Sequence, residues 1–170
     1  LLGAAALPAE ALAAPAAKAQ RFLKPAQLKL LRAVTDTILP ATDTPGALAA
    51  KVPARIDSLL ANWASADTRS TVTAALARID AAAKAQKGKG FAKLSAAERA
   101  AVLKPHDEAA LKKVPPPPGA PAAIFFMSPT YVADPGYYRI KDLTLDLYYF
   151  SEIGTASELA YNHVPGKWQP

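Results

Sequence analysis

The sequence predicts an all-α protein, a small irregular helical bundle that ends in an extended, aromatic C-terminal tail. Three features of the composition favour helices over a sheet. Alanine-rich stretches are common, and the alternating Val, Ile and Thr patterns of strands are scarce. The 16 prolines against only 8 glycines indicate short helices joined by stiff loops. A chain of 170 residues is long enough for one domain with a hydrophobic core.

The first 20 residues differ from the rest, and we interpret them as the remnant of an export signal or a flexible arm. The opening letters LLGAAALPAEALAAPA are apolar and rich in the small residues that a signal peptidase accepts. An alanine-rich arm or short helix is the alternative interpretation of the same residues. Residues 21–170 are predicted to form a single helical domain.

The first helix is predicted to begin at Pro25 and to stop at Pro40, because proline suits the first position of a helix and cannot continue one. Its apolar face consists of Leu28, Leu31, Val34 and Ile38. A loop of residues 41–47 follows, and its Pro45-Gly46 pair fits the central positions of a type II turn.

Two more helices are predicted before the glycine-containing stretch around Gly88. The second covers residues 53–63, with Trp63 expected in the core and Asp57 on the outer face. The third is expected to have Asp67 as its N-terminal cap. Their apolar stripes consist of Ile56, Leu59, Leu60 and Trp63 in the second helix and of Val72, Ala75, Leu76, Ile79 and Ala83 in the third.

A fourth helix is predicted after Ser95, which has the capping-box spacing with Glu98. Phe91 and Leu94 are expected to anchor this helix to the core, and Pro105 is expected to interrupt it. The four prolines of residues 115–118 predict a stiff polyproline spacer. A helical stretch is expected at residues 122–127, and a turn at residues 134–136 leads into the last helix.

The last helix carries the main interaction signal. We expect it to end at Gly154 and to turn one apolar stripe to the core, formed by Ile140, Leu143, Leu147 and Phe150. Leu145, Tyr149 and Ile153 lie near the opposite side, with Tyr148 between the two. A helix that is apolar on two sides needs a second cover, so the sequence predicts a partner protein.

The residues after this helix are predicted to be an extended tail that contacts the same partner. Tyr161 and Trp168 are its apolar anchors, since amphipathic aromatic side chains are enriched at protein interfaces. The complete predicted partner interface consists of Leu145, Tyr148, Tyr149, Ile153, Tyr161, His163, Pro165, Gly166 and Trp168.

The sequence contains no pattern that indicates catalysis, a cofactor or a metal in this chain. It has no cysteine, which excludes disulfides, thiolate metal sites and thiol nucleophiles. His106 and His163 lie in no metal-binding motif; we expect a surface position for His106 and an interface position for His163. Asp142 and Asp146 are four residues apart, a spacing more typical of solvated helix pairs than of acid–base catalysis. Nucleotide-binding loops and serine-nucleophile motifs are also missing.

The net charge of +6 is compatible with nucleic acid, an anionic surface or simple solubility. The basic residues are scattered apart from a small cluster of Lys84, Lys87 and Lys89, and no aromatic residues interleave with them. This distribution favours a solvated face over a nucleic-acid platform.

An ordered set of short segments over residues 21–168 resembles the gluconate 2-dehydrogenase small-subunit (subunit 3) family. The segments are Phe22-Leu23 with Pro25, ILPATDTPGA at residues 38–47, Val52 with Ile56-Asp57, GFAKLSAAERAAVL at residues 90–103, SEIG at residues 151–154, Leu159 with Tyr161, and VPG at residues 164–166. Residues 112–118 are not part of the resemblance.

The resemblance implies a non-catalytic accessory subunit of a periplasmic sugar dehydrogenase complex, of the gluconate 2-dehydrogenase or glucoside 3-dehydrogenase type. FAD would be bound by the partner, a catalytic subunit of the glucose–methanol–choline (GMC) oxidoreductase type, and a cytochrome c subunit would accept the electrons. The small subunit would assist the folding, stability and export of the flavoprotein by the twin-arginine (Tat) route.

Other interpretations remain open from the residues alone. The main alternative is a free-standing secreted helical binding or scaffold domain, which would be a soluble monomer without exposed aromatic residues. An enzyme that uses Asp142, Asp146 and His163 would need a pocket that joins them. A basic surface-binding module would lose affinity steeply as salt rises.

Overall fold

The computed structural model of the protein describes residues 21–120 and 130–158, and within them the prediction of an all-α fold is confirmed. The helices are α1 (Pro25–Ile38), α2 (Val52–Asn62), α3 (Ala66–Lys87), α4 (Ala96–Ala110), α5 (Pro135–Tyr149) and α6 (Glu152–Glu158), with a short 3-10 turn, Phe91–Lys93, before α4. The described residues form no strand, only an isolated antiparallel bridge between Lys113 and Val132. The predicted N-terminal segment, the predicted helix at residues 122–127 and the aromatic tail lie outside these ranges.

One hydrophobic core joins the first five helices. Side chains with no exposure, such as Val34 in α1, Ile56 in α2 and Ile79 in α3, meet Ile140 of α5 in this core. The predicted apolar stripe of α3 is buried along its whole length. Phe91 and Leu94 are also buried, which confirms the prediction that they anchor the start of α4.

The sequence predicted how α1, α3 and α4 begin, and two of these three predictions are confirmed. Pro25 occupies the first turn of α1 as predicted. The Ser95 amide donates to Glu98 Oε2 (2.9 Å) while the Ser95 hydroxyl accepts from the Glu98 amide (3.4 Å), which confirms the capping box. The prediction that Asp67 caps α3 is wrong, because the cap is Ser65, whose hydroxyl accepts from the Thr68 amide at 3.1 Å.

The prediction that Pro105 interrupts the fourth helix is also wrong, since α4 continues to Ala110. A proline inside a helix removes one backbone hydrogen bond and crowds the preceding turn. The turn that follows Pro105 is held by tertiary contacts instead: Asp107 bonds side chains of α5, and Ala110 is buried in the core. These contacts stabilise the second half of α4 despite the missing bond.

The exposure of two side chains, one in α2 and one directly after it, is the reverse of the prediction. Trp63 is 84% exposed, because α2 ends at Asn62 and Trp63 already has non-helical backbone angles (φ −125°, ψ −24°) that take it off the buried stripe. Asp57 is 3% exposed, and its Oδ1 accepts the amides of Phe22 (3.1 Å) and Leu23 (2.7 Å). Asp57 therefore fixes the chain before α1 against α2.

The loop after α1 is compact but is not the predicted type II turn, since Gly46 does not have the positive φ that such a turn requires. Gly46 is needed for close approach instead. A Cβ at this position would lie 2.5 Å from the backbone nitrogen of Ala41, so the loop folds directly back on the end of α1.

Candidate partner surface

A sharp corner joins α5 to α6. The Ser151 hydroxyl donates to the Tyr148 carbonyl (2.6 Å) and accepts from the Gly154 amide (3.0 Å), so one side chain bonds the end of α5 and the start of α6. Gly154 lies against the Tyr148 backbone, where a Cβ would overlap the carbonyl oxygen. The prediction that a single helix continues to Gly154 is therefore wrong.

Phe150 projects from this corner and is 85% exposed, although the sequence placed it on the core-facing stripe. That stripe assumed an unbroken helix, whereas α5 ends at Tyr149 and Phe150 is its C-cap. Leu143 and Leu147 still pack against the core, as predicted. The fully buried large side chains of α5 are Tyr137, Ile140 and Tyr148.

Tyr148 lies inside the protein, which corrects the prediction that it contacts a partner. The side chain is 0% exposed. Its hydroxyl donates to the Pro45 carbonyl at 2.5 Å and lies 3.4 Å from Glu158 Oε1. Tyr148 thereby connects the end of α5 to the loop after α1 and to α6.

The other predicted interface residues of this region are accessible in part. Tyr149 is 39% exposed, and its ring packs edge to face on Tyr148 with 5.3 Å between centroids. Ile153 and Leu145 are half-buried. We call Tyr149, Phe150 and Ile153 the aromatic corner. The remaining predicted interface residues, Tyr161, His163, Pro165, Gly166 and Trp168, lie outside the described residues.

Basic side chains border the aromatic corner. Lys51 and Arg55, at the start of α2, line a shallow cavity of about 180 Å³ together with Ile153. Arg55 also reaches the Leu147 carbonyl at the end of α5 (3.4 Å). Lys51 adopts a left-handed backbone conformation (φ 57°), which is uncommon for a residue other than glycine. The same cavity is lined by the exposed carboxylate of Glu152. The surface is therefore apolar at the corner and carries two cations and one carboxylate beside it.

A separate polar network joins α3 and α4 to α5. Arg78 binds Asp134 through two hydrogen bonds of 2.9 and 2.6 Å, and Asp134 also caps α5 by accepting the Tyr137 amide (3.0 Å). Asp107 accepts the Tyr137 hydroxyl at 2.7 Å and the Lys141 ammonium at 2.7 and 3.0 Å. Both carboxylates are thus fully engaged within the chain.

His106 belongs to the same network and is half-buried, not at the surface as predicted. Its ring lies edge-on to Tyr137 with 5.1 Å between centroids. Its Nε2 atom has no hydrogen-bond partner among the described residues and lies 3.9 Å from Asp134. Burial lowers the pKa of His106, although Asp134 and Asp107 oppose the shift.

The pKa shifts in this network indicate a structural role. Burial, together with the hydrogen bond to Asp107, raises the pKa of Tyr137 far above its ordinary value. Burial also disfavours the ionised form of Asp134, but the bonds from Arg78 and the Tyr137 amide hold its pKa below the ordinary value. A tyrosine that stays protonated and a carboxylate that stays ionised are unsuited to exchange protons near neutral pH, so these groups hold three helices together.

The remaining acidic residues do not converge on a site. Asp142 pairs with Arg139 at 3.8 Å, and Asp146 is exposed. Within residues 21–120 and 130–158, no three His, Asp or Glu side chains are placed to hold a metal ion. Across the same ranges, no helix combines the length and the apolar character that crossing a bilayer requires.

Comparison with known protein families shows to which family the chain belongs. The family model of gluconate 2-dehydrogenase subunit 3 matches residues 25–166, from the first residue of α1 into the predicted tail. The chain belongs to this family. The match confirms the resemblance that the short segments indicated. No curated protein and no solved structure matched the chain.

Membership in the subunit 3 family identifies the protein as a subunit of gluconate 2-dehydrogenase-type complexes, which implies a catalytic partner. Two segments on which the resemblance rested meet in the structure. The loop within ILPATDTPGA supplies the Pro45 carbonyl that binds Tyr148, and SEIG forms the corner through Ser151 and Gly154. Residues characteristic of the resemblance therefore shape the backbone that displays Phe150.

Sequence reasoning missed the exposure of Phe150 and Trp63. A signal for Phe150 was present, because serine followed by an acidic residue is a typical helix start. Ser151-Glu152 could therefore have predicted a new helix directly after Phe150. No comparable signal marked Trp63, which continues the apolar spacing of α2.

Proposed function

We propose that this protein is the non-catalytic small subunit of a periplasmic FAD-dependent sugar dehydrogenase, and that its aromatic corner binds the catalytic flavoprotein subunit. The observation that carries the proposal is Phe150, a large apolar side chain that is 85% exposed on a backbone fixed by Ser151 and Gly154. Family membership supplies the catalytic partner.

The exposed Phe150 side chain is suited to one side of a protein–protein interface. Burying a phenylalanine side chain is worth about 1.5–3 kcal/mol relative to leaving it in water. Tyr149 before Phe150 and Ile153 after it add further accessible apolar side chains. Aromatic residues are enriched at the centres of interfaces, and a rigid backbone loses little conformational entropy on binding. The corner is therefore preorganised to insert an aromatic side chain into a partner pocket.

The basic residues next to the corner favour an acidic complementary surface on the flavoprotein. Lys51 and Arg55 add two positive charges at the edge of the apolar area against the single negative charge of Glu152, and the whole chain carries +6. Opposite charges at the rim of an interface raise the association rate and set the orientation of the partners. Complex formation should accordingly be slower at high ionic strength.

The wider proposal follows the family. The partner is a GMC-type subunit that holds FAD and oxidises a sugar, a sugar acid or a glycoside, with a cytochrome c subunit as electron acceptor. This chain holds no cofactor and assists the folding, stability and Tat-dependent export of the flavoprotein. The apolar, small-residue-rich composition of residues 1–20 supports export to the periplasm.

The test is co-expression of the tagged chain with the proposed GMC-type flavoprotein subunit from the same organism. Wild type should retain the flavoprotein, measured by the flavin absorbance of the eluate. The double variant Tyr149→Asp with Phe150→Asp should reduce that recovery about tenfold or more, because charge replaces the apolar contact. The control is Trp63→Asp with Val114→Asp, which places the same two charges on apolar residues that are 84% and 40% exposed and do not belong to the corner.

Two outcomes would contradict the proposal. Recovery of the flavoprotein at the wild-type level by the double variant would place the interface elsewhere. A wild-type chain that elutes as a monomer without flavoprotein, as judged by light scattering, would favour the free-standing binding or scaffold domain.

A further inference from the structure

A groove of about 450 Å³ runs between α1, α3 and the 3-10 turn, and it shares no lining residue with the aromatic corner or the polar network. Leu30 and Leu76 are nearly fully buried and form its apolar base. Ala77 and Ala92 contribute only small side chains to its lining, so they leave the space between the two helices open. The volume falls in the range of ligand-binding clefts.

The lining of the groove is positively charged. It includes Lys29 from α1, Lys84 from α3 and Lys93 from the 3-10 turn, all of them exposed. Lys84 belongs to the lysine cluster that the sequence showed. Asp80 is the one acidic residue in the described lining. The cations of the groove therefore come from three different elements that surround one apolar base.

Asp80 neutralises only part of this charge, that of Lys84. Its Oδ1 accepts the Phe91 amide at 2.9 Å, and its Oδ2 pairs with Lys84 at 2.6 Å. In the described part of the chain, no carboxylate lies within ion-pairing distance of Lys29 or Lys93. These two ammonium groups remain available for an external anion.

We propose that this groove binds an acidic amphipathic segment of another polypeptide. An apolar side chain of that segment covers Leu30 and Leu76, and carboxylates on its edges pair with Lys29 and Lys93. Lysines on separate elements around an apolar base match a segment with dispersed carboxylates, as when an amphipathic helix lies in a groove. A phosphate group would instead be favoured by convergent arginine or backbone N–H donors, and the lining contains no arginine.

The binding test uses the full chain and a short fluorescein-labelled helical peptide with leucines at i and i+4 flanked by glutamates. Its anisotropy should show saturable binding. A peptide with lysines in place of the glutamates should bind at least about tenfold more weakly, because it repels the groove lysines. Rising salt should weaken the binding of the acidic peptide, since the ammonium groups are exposed.

Two matched pairs of variants locate the binding. Lys29→Glu with Lys93→Glu should weaken peptide binding about tenfold or more, whereas Lys112→Glu with Lys113→Glu, the same charge change outside the groove, should alter it by less than about threefold. Ala77→Trp should fill the groove and give a comparable loss. Ala81→Trp, on an exposed neighbour in α3 that does not line the groove, should not. Circular dichroism verifies the fold of each variant.

Several results would overturn the proposal. These are the absence of saturable binding to wild type, equal binding of the two peptides, or equal losses within a matched pair. Groove-dependent binding to phosphatidylglycerol vesicles without binding to the acidic peptide would assign the groove to an anionic lipid surface instead. The outcome is independent of the aromatic corner, because Tyr149→Asp with Phe150→Asp should leave peptide binding unchanged.

Discussion

His106 is a histidine whose Nε2 atom is shielded from water and without a hydrogen-bond partner among the described residues. Asp134, Asp107 and Arg78 are the charged groups that act on it, and burial holds its pKa below the ordinary value. The unfolded chain therefore takes up a proton at this residue at higher pH than the folded chain. Stability is expected to fall as the pH drops below about 6.5, the ordinary histidine pKa, and to continue falling toward the folded pKa.

The variant His106→Phe tests this expectation. A phenyl ring keeps the packing on Tyr137 and removes both the titration and a buried polar atom without a hydrogen-bond partner, so stability near neutral pH should stay within about 1 kcal/mol of wild type. Urea unfolding between about pH 7.5 and 5.5 should show a shallower decline than in wild type. His163→Gln is the control for the other histidine. A decline in His106→Phe as steep as that of wild type would contradict the shifted pKa.

At the scale of single residues, local rules predicted the Ser95 cap of α4 correctly, missed the Ser65 cap of α3 and predicted burial less well. The bond between Ser95 and Glu98 needs only a spacing of three residues, so the sequence contains it. The burial of Asp57 depends on the amides of Phe22 and Leu23, which are more than thirty positions away in sequence. Such a partner cannot be inferred from the residues around Asp57, and the residue type alone suggests solvent.

Among the helices, the packing of α5 on α3 depends on Gly136. A Cβ there would overlap the Thr71 carbonyl oxygen and lie 3.0 Å from the Ala75 Cβ. Glycine to alanine inside a helix ordinarily stabilises a protein, because glycine loses more backbone entropy on folding. At this position the sign should reverse, since the clash forces the two helices apart.

Gly136→Ala is therefore expected to destabilise the protein by about 1–3 kcal/mol, the usual range for overpacking. The measurement is the midpoint of urea or thermal unfolding. Arg139→Ala, at a partly exposed position on the same helix, should change the free energy of unfolding by less than about 0.5 kcal/mol. A Gly136→Ala protein as stable as wild type would mean that α5 can move away from α3 at little cost.

Helix existence was predictable from periodicity, whereas some helix ends were not. Five of the six described helices fall in segments where the sequence predicted a helix, and α3 and α4 begin within two residues of the predicted caps. The separate helix α6 was not predicted. The continuation through Pro105 depends on tertiary contacts, because Asp107 bonds side chains of α5. The break after Tyr149 is local, since the Ser151 hydroxyl bonds backbone groups three residues away on each side, and its signal in the sequence was missed.

For the molecule as a whole, Tyr148 connects segments that are distant in sequence. Its hydroxyl binds the Pro45 carbonyl and lies near Glu158, whose carboxylate also accepts the Thr44 hydroxyl (2.5 Å). These contacts hold the loop after α1 against the α5–α6 corner. The backbone around Phe150 is therefore held by the loop after α1 as well as by the Ser151 turn.

Tyr148→Phe should cost about 1–2 kcal/mol of stability, because the Pro45 carbonyl loses its partner in a partly buried site. Tyr138→Phe is a matched control, since no bond of the Tyr138 hydroxyl is seen within the described residues, and it should be nearly neutral. Chemical denaturation of both variants measures the difference. Equal effects of the two substitutions would show that the hydrogen bond does not hold the corner.

The sequence predicted the family, and with it a subunit of a dehydrogenase complex, better than it predicted which side chains of the C-terminal helices are exposed. Two of the ordered segments constrain local backbone in the structure: Ser95 and Glu98 cap α4, and Ser151 and Gly154 form the corner. The interface prediction assumed an uninterrupted helix, so it placed Phe150 inside and Tyr148 outside, the reverse of the structure. Its remaining members from Tyr161 to Trp168 stay a prediction.

At the corner, the residues that fix the backbone are different from the residue that is exposed, and this separation is useful for engineering. Ser151 and Gly154 determine the path of the backbone, while the ring of Phe150 contributes almost nothing to the chain's own interior. The side chain at position 150 can consequently be exchanged without redesigning the scaffold. Under the proposed role of the corner, a library varied at positions 149, 150 and 153 on an unchanged framework is the way to select small subunits that pair with a chosen oxidoreductase.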